Sequence, residues 1–206
     1  MRARLGGRLG AGLGLMLGFL LWASTVPAAA EPFVFDKGFT LLTFSWSHLG
    51  LSRQQARFNG IDGIFDIDPE RPEASRVDVT IRASSVQSGV DAFDRILRSP
   101  DYFDVQAHPT ISFRSTGITR TGEKTADVAG DLTMLDVTKP ATLQVTLNTY
   151  GPHPSAAASP AYVGRKVASF SARAQVLRSS WGMTRATPLV SDEIEIVIET
   201  ELLSKE

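Results

Sequence analysis

The side chains best suited to acid–base or metal chemistry in this sequence are its three histidines, His48, His108 and His153, which lie more than 40 positions apart. None of the short His–His spacings that place two metal ligands on one face is present. A histidine acts as a general acid or base when a carboxylate orients it, because imidazole titrates near neutral pH. The sequence places no such partner beside His48. We therefore predict no metal site and no catalytic residue.

Other motifs of catalysis are missing as well. The chain has no Cys, which excludes thiol catalysis, iron–sulfur clusters and cysteine zinc sites. It has no G-x-S-x-G elbow for a nucleophilic serine. Acidic residues such as Asp62 and Asp66 alternate with apolar ones, as on the solvated face of a strand, so they do not indicate a catalytic carboxylate pair. The segment from Gly60 to Gly63 favours a bulge or bend in a strand and not a phosphate-binding loop. These residues give no positive evidence for an enzyme, and we expect none; the alternative is an enzyme modifying a lipid or small molecule, with His48 as its acid or base.

Residues 1–30 have the three parts of a secretory signal. Three arginines among the first eight residues form the positive region, an apolar run follows, and Ala28–Ala30 supply small residues for cleavage. We expect cleavage near Ala30 and export, which leaves one domain over 31–206. The whole chain has 21 Lys and Arg against 22 Asp and Glu, and removal of the leader arginines makes the rest acidic. The sequence has no basic patch of the kind that nucleic-acid-binding proteins carry, so we expect no nucleic-acid partner.

Alternation of apolar and polar residues with a period of two dominates the chain after the leader. It is clearest over 77–82, 142–147 and 193–198, and one apolar face per strand is typical of antiparallel sheets. Eight such stretches lie between turn signals, namely 39–48, 56–67, 75–82, 110–117, 124–134, 138–149, 166–178 and 190–203. Strands of this length favour a closing sheet. We predict an all-β, eight-stranded antiparallel up-and-down barrel, with a two-sheet sandwich as the alternative.

The long connection 83–109 separates the third and fourth predicted strands. Asp91 and Arg95, and likewise Asp94 and Arg98, are four residues apart and can pair on a helix. Ser99-Pro100-Asp101 has the pattern of a helix start. One or two short helices are therefore expected here, as a functional lid or as a packed closure of one barrel end.

An eight-stranded barrel encloses just enough space to be filled by its own side chains or to hold one small ligand. If it is filled, the protein is a structural or interaction barrel. The inward side chains are apolar and partly aromatic, so a ligand would be mostly hydrocarbon. The candidate ligand-binding residues are Phe44, Trp46, His48, Phe58, Phe65, Ile67, Val79, Ile81, Phe103, Phe113 and Trp181.

Several motifs occur along the chain in an order that is specific to one family. They are Phe44-x-x-x-His48-Leu49-Gly50, Phe65-x-Ile67-Asp68, Leu97-Arg98-Ser99-Pro100-Asp101-Tyr102-Phe103-Asp104, Gly130-Asp131-Leu132-Thr133 and Arg178-x-x-Trp181-Gly182-Met183. In these segments the chain resembles the YceI-like family of secreted, lipocalin-like proteins that bind polyisoprenoid lipids. It departs from the family in the connecting helix, where Phe93 and Ile96 replace the arginine and histidine of an Arg-Asp-x-His-Leu motif.

The resemblance implies a lipocalin-like barrel whose long apolar cavity holds an isoprenoid chain, in some members that of a quinone. It also implies a location in the bacterial periplasm and a role in carriage, storage or sequestration of the lipid. The expected ligand is a non-covalent polyisoprenoid or isoprenoid quinone, with no other cofactor. The expected partners are this lipid and, transiently, a membrane; we expect a monomer or homodimer.

Overall fold

A computed structural model describes residues 30–205, so the predicted signal segment lies almost wholly outside the described residues. The described chain is mostly sheet, with one α-helix. The elements are β1 Glu31–His48, β2 Ser52–Phe58, β3 Ile61–Ile67, β4 Arg76–Arg82, β5 Val86–Gln87, α1 Asp91–Leu97, β6 Thr110–Arg120, β7 Thr125–Met134, β8 Val137–Pro152, β9 Lys166–Leu177 and β10 Glu193–Ser204. None of the described helices is both long and apolar enough to span a bilayer.

The sheet closes into a barrel because the first and last strands pair. β1 runs antiparallel to β10, with Phe33 opposite Ser204. β2 and β3 together form one bent strand on the other side of β1, with Leu42 opposite Phe58 and Phe33 opposite Phe65. The eight barrel positions are β1, β2/β3, β4, β6, β7, β8, β9 and β10, and each pairs with its neighbours in sequence. The predicted up-and-down barrel is confirmed, and the sandwich alternative is wrong.

The bend between β2 and β3 falls at the predicted glycine segment. Asn59 and Gly60 interrupt the strand, and the register with β1 shifts between the two parts. A Cβ on Gly63 would lie 2.9 Å from the ring of Phe35 and 3.0 Å from the carbonyl oxygen of Asp78. Glycine is needed there because the backbone of β4 and an aromatic ring both approach closely.

The two ends of the barrel differ in their connections. One end, called here the helical end, carries the turn after His48, the connection 83–109 with α1, and the segment 178–192, and His48 forms a β-bridge with Val190 there. The other, called here the hairpin end, carries the connections 68–75, 121–124 and 153–165. This arrangement follows from the antiparallel order, which returns the chain to the same end after every second strand.

The connection over the helical end contains α1 as predicted, and the second helix expected at Ser99 does not form. The chain after Leu97 makes successive turns, and the Phe103 amide donates back to the Leu97 carbonyl at 3.0 Å. The Ser99 hydroxyl donates to the Ile96 carbonyl at 2.7 Å, so it closes α1 instead of capping a new helix. Ser-Pro-Asp is also a common turn sequence, and the turn is the form adopted here.

Candidate ligand-binding cavity

The interior of the barrel contains a cavity of about 490 Å³. Its lining includes His48 and Val190 at the helical end and Pro69 and Lys124 at the hairpin end, so the cavity follows the barrel axis. This volume lies within the range of about 300–1,000 Å³ that is typical of small-molecule sites. The barrel is therefore not fully packed by its own side chains.

Most of the predicted site residues face this cavity. Ten of the eleven line it, namely Phe44, Trp46, His48, Phe58, Phe65, Ile67, Val79, Ile81, Phe103 and Phe113. Trp181 does not; its side chain is buried elsewhere in the core, and its indole N–H donates to the Leu132 carbonyl at 3.3 Å. Contact of any of these residues with a ligand stays a prediction.

An aromatic cluster forms the wall near the helical end. The Phe44 ring stacks on Trp46 at 5.7 Å and on Phe58 at 5.3 Å, and Phe103 meets Phe44 edge-on at 5.7 Å. Trp46 in turn stacks on Phe93 of α1 at 5.6 Å. Offset and edge-on ring pairs of this kind add about 0.5–1.5 kcal/mol beyond simple burial. The cluster gives this half of the cavity an aromatic, apolar wall.

Several lining residues were missed by the sequence-based list. Inward positions of the later strands, Leu143, Val145, Ile194, Ile196 and Ile198, carry the same period-two signal as the residues that were chosen. Ala172 and Ala174 of β9 also line the cavity, and their small side chains leave open space beside the larger residues. Phe93 and Ile96 come from α1, where strand periodicity gives no information about direction.

The hairpin end of the cavity is tied together by polar contacts. The buried Asp68 carboxylate accepts from the Arg71 amide at 2.9 Å and from the Arg71 guanidinium at 2.8 Å. Burial raises the pKa of Asp68, but the hydrogen bonds from Arg71 outweigh it and leave the pKa below its ordinary value. Arg120 donates to the Glu70 carbonyl at 2.7 Å and the Pro69 carbonyl at 3.2 Å. The connection 68–75 is thereby held to the end of β6.

The helical end is fixed around the carboxylate of Asp94. This buried group accepts from the amide and the hydroxyl of Ser88, both at 2.6 Å, and lies 3.8 Å from the Arg98 guanidinium. Arg98 also donates to the carbonyls of Ser84 and Val86. Burial raises the pKa of Asp94, but the Ser88 hydrogen bonds and the Arg98 charge lower it further than burial raises it. These contacts anchor α1 to the segment 84–88.

Arg178 is a buried cation in the wall of the same end. Its guanidinium donates to the carbonyls of Met183 at 2.6 Å, Ser191 at 2.9 Å and Val190 at 3.0 Å, and to the Thr187 hydroxyl at 2.7 Å. The side chain is 4% exposed. Because its N–H groups hydrogen-bond mainly to backbone carbonyls of the segment 178–192, we assign Arg178 a structural role: it holds this segment in place at the helical end.

His48 lies at the end of β1, where it is exposed and also lines the cavity. Its carbonyl accepts from the Leu51 amide at 3.0 Å. Within residues 30–205 its imidazole makes no hydrogen bond or ion pair. The other histidines lie apart from it: His108 is 3.0 Å from Asp136, and His153 stacks on Tyr162. Over the same residues no group of three or more His, Cys, Asp or Glu could hold a metal ion.

A closed antiparallel barrel around a long apolar cavity defines a class of small-ligand-binding barrels. A family model described as YceI-like domain matches residues 33–202, so the chain belongs to the YceI-like family. The resemblance seen in the sequence motifs is thus confirmed.

Curated relatives and solved structures agree with this assignment. A UPF0312 protein of Pseudomonas putida strain GB-1 is 41% identical over 142 residues, covering 68% of this chain and 73% of the relative. One from Azotobacter vinelandii is 32% identical, covering 84% and 88%.

Among structures, the YceI protein of Campylobacter jejuni superposes with a TM-score of 0.68 at 25% identity, covering 78% of this chain and 90% of that one. A domain from Saccharophagus degradans, described as polyisoprenoid binding and implicated in plant cell wall breakdown, has a TM-score of 0.61 at 12% identity, covering 85% and 99%. At that identity the likeness shows the fold alone.

Proposed function

We propose that this protein binds the hydrocarbon chain of a polyisoprenoid lipid, such as a prenol or an isoprenoid quinone, inside the barrel. The observation that carries the proposal is the apolar cavity of about 490 Å³ along the barrel axis. The Saccharophagus domain described as polyisoprenoid binding has the same fold, which supports this class of ligand over a polar one.

The energetics of such a site need no reactive group. Removing each methylene from water contributes roughly 0.8 kcal/mol, so a chain of several isoprene units supplies ample affinity through burial alone. A few polar groups at the ends suffice to orient a head group. His48 and Tyr102 line the helical end, and Arg120 and Lys124 line the hairpin end.

We propose a periplasmic role as carrier, store or sequestering protein, with the lipid bound non-covalently. The leader pattern of residues 1–30 supports export. A binding role is favoured over a catalytic one because His48, the candidate acid or base, has no carboxylate partner among the described residues to orient it.

The most direct test is to purify the protein from the periplasm of its own host and identify extracted lipids by mass spectrometry. We expect a prenyl lipid close to one equivalent per protein, absent from a periplasmic protein without a cavity that is purified in parallel. Repeated absence of prenyl lipid, together with no saturable binding of an added prenol, would defeat the proposal.

A further inference from the structure

Several exposed apolar side chains lie together at the helical end of the barrel, whereas Phe39, Leu41 and Ile64 are exposed along strands and Val163 is exposed at the hairpin end. Leu51 is 82% exposed and Leu189 is 64% exposed, and Leu49, Val90 and Ile96 are each exposed by nearly half or more. They come from three segments: the β1–β2 turn, the connection that contains α1, and the segment before β10. These five residues are called the apolar rim below.

The apolar rim is continuous with the mouth of the cavity. The Leu49 amide donates to the Leu189 carbonyl at 2.7 Å, which places these two segments side by side. Ile96 is both exposed and part of the cavity lining, and Val190, the neighbour of Leu189, also lines the cavity. Ile96 therefore connects the apolar cavity wall to the apolar surface outside the barrel.

The hairpin end has a different character. Arg120, Glu123 and Lys124 line the cavity there and are exposed, and Arg120 bonds the carbonyls of the neighbouring connection. An apolar chain that left through this end would pass charged groups and enter water. Because the helical end exposes apolar side chains and the hairpin end exposes charged ones, an apolar ligand would enter and leave most easily at the helical end.

We propose that the apolar rim docks on the surface of a lipid bilayer and that lipid enters and leaves the cavity through the helical end. This inference rests on the proposed function. A polyprenyl chain that crosses water exposes apolar surface at a cost of roughly 0.8 kcal/mol per methylene. A rim that inserts its leucines into the bilayer joins the cavity to the hydrocarbon phase and removes that cost.

Charges of both signs lie near the rim, including the exposed Asp91 and Arg95 of α1, and this mixture favours apolar insertion over attraction to anionic lipid. Arg185 lies 3.8 Å from Asp101, and Arg53 pairs with Glu195. We therefore expect docking on phosphatidylcholine vesicles to change little when phosphatidylglycerol is added, because positive and negative side chains are mixed around the rim.

The test uses the variants Leu51→Asp and Leu189→Asp with Val163→Asp as the matched control. Val163 is 66% exposed, but it lies at the hairpin end. We expect each rim variant to bind phosphatidylcholine vesicles at least about tenfold more weakly, as loss of one inserted leucine predicts. Transfer of geranylgeraniol from these vesicles should slow to a similar degree, and Val163→Asp should match the unchanged protein. Circular dichroism checks that each variant is folded.

Delivering the lipid without vesicles distinguishes failure of the docking proposal from failure of the proposed function. Geranylgeraniol presented in cyclodextrin, without vesicles, should bind all variants equally. If it binds none of them, the proposed function fails, and vesicle sedimentation of the protein alone still decides whether the rim docks. Equal vesicle binding by rim and control variants would overturn the docking proposal. A second result would also overturn it: light scattering shows that the protein is a dimer and that the rim variants are monomers, while lipid transfer from vesicles is unchanged. The rim would then be covered by a second copy of the chain.

Discussion

The indole ring of Trp46 and the phenyl ring of Phe93 stack with their centroids 5.6 Å apart and their planes 25° from parallel. Trp46 belongs to the barrel wall and Phe93 to α1, and both line the cavity. The helix is thus joined to the barrel at the helical end by an apolar contact that a bound lipid would also touch. We therefore expect this contact to influence how fast a bound lipid leaves the cavity.

Phe93→Ala should speed the exchange of bound lipid. The substitution removes the stacking interaction, which contributes about 1 kcal/mol, and this corresponds to about fivefold in rate if the contact breaks before the lipid leaves. Dissociation of a prenol can be followed by stopped-flow fluorescence of the tryptophans. Phe93→Leu keeps most of the apolar contact, so its lipid dissociation rate should lie between those of Phe93→Ala and the unchanged protein. An unchanged dissociation rate in Phe93→Ala would show that the lipid does not leave past α1.

Ala174→Phe should lower lipid affinity by filling the cavity. Ala174 faces the cavity from β9, and a ring that displaces two methylenes of the ligand costs about 1.6 kcal/mol, or more than tenfold in affinity. The neighbouring residue on the outer face provides the control Gln175→Phe, which adds the same ring outside the barrel. Lys124→Gln, which removes a charge at the hairpin end, should have a smaller effect than Ala174→Phe. Equal lipid content in all three variants would place the ligand elsewhere.

Strand periodicity accounts for most of what the sequence could predict. Where one face of a strand is buried, alternate residues must point inward, and residues such as Phe44, Phe65 and Phe113 could be assigned to the interior from the pattern alone. The same rule applied to Ile194, Ile196 and Ile198 would have extended the site to β10. Closure of the barrel followed from the number and length of the strands.

Residues outside the strands could not be placed in this way. Trp181 belongs to the short 3-10 helix Arg178–Trp181, and Phe93 belongs to α1, where the period of two does not apply. Trp181 lies in the core and Phe93 lies in the cavity wall. These positions depend on how the two segments fold over the barrel end. Ser99-Pro100-Asp101 predicts a helix start but forms a turn, because the same local residues favour both structures.

Arg178→Met should strongly destabilise the fold. The substitution leaves the three carbonyls and the hydroxyl that the guanidinium serves without their donor, and unsatisfied buried groups cost about 1–3 kcal/mol each without simple additivity. We expect urea unfolding to show a loss of about 3 kcal/mol or more. Arg178→Lys should recover only part of this, because an ammonium lacks the planar fork of donors. Arg173→Met, an exposed β9 residue paired with Glu195, should cost less than about 1 kcal/mol. Similar losses for Arg178→Met and Arg173→Met would contradict the structural role.

Asp94→Asn should destabilise the protein at neutral pH, with an effect that fades in acid. The pKa of Asp94 lies below its ordinary value of 3.8, because the hydrogen bonds from Ser88 and the charge of Arg98 outweigh the upward effect of burial. A carboxyl group whose pKa is lowered by folding stabilises the folded state above its unfolded pKa, and this contribution is lost as the pH falls through the folded pKa. Urea unfolding should therefore show the largest difference at about pH 7, and the difference should shrink below about pH 4. The exposed Asp91 of the same helix gives the control Asp91→Asn. A difference between Asp94→Asn and the unchanged protein that stayed constant down to low pH would mean that the ionised carboxylate does not hold α1 in place.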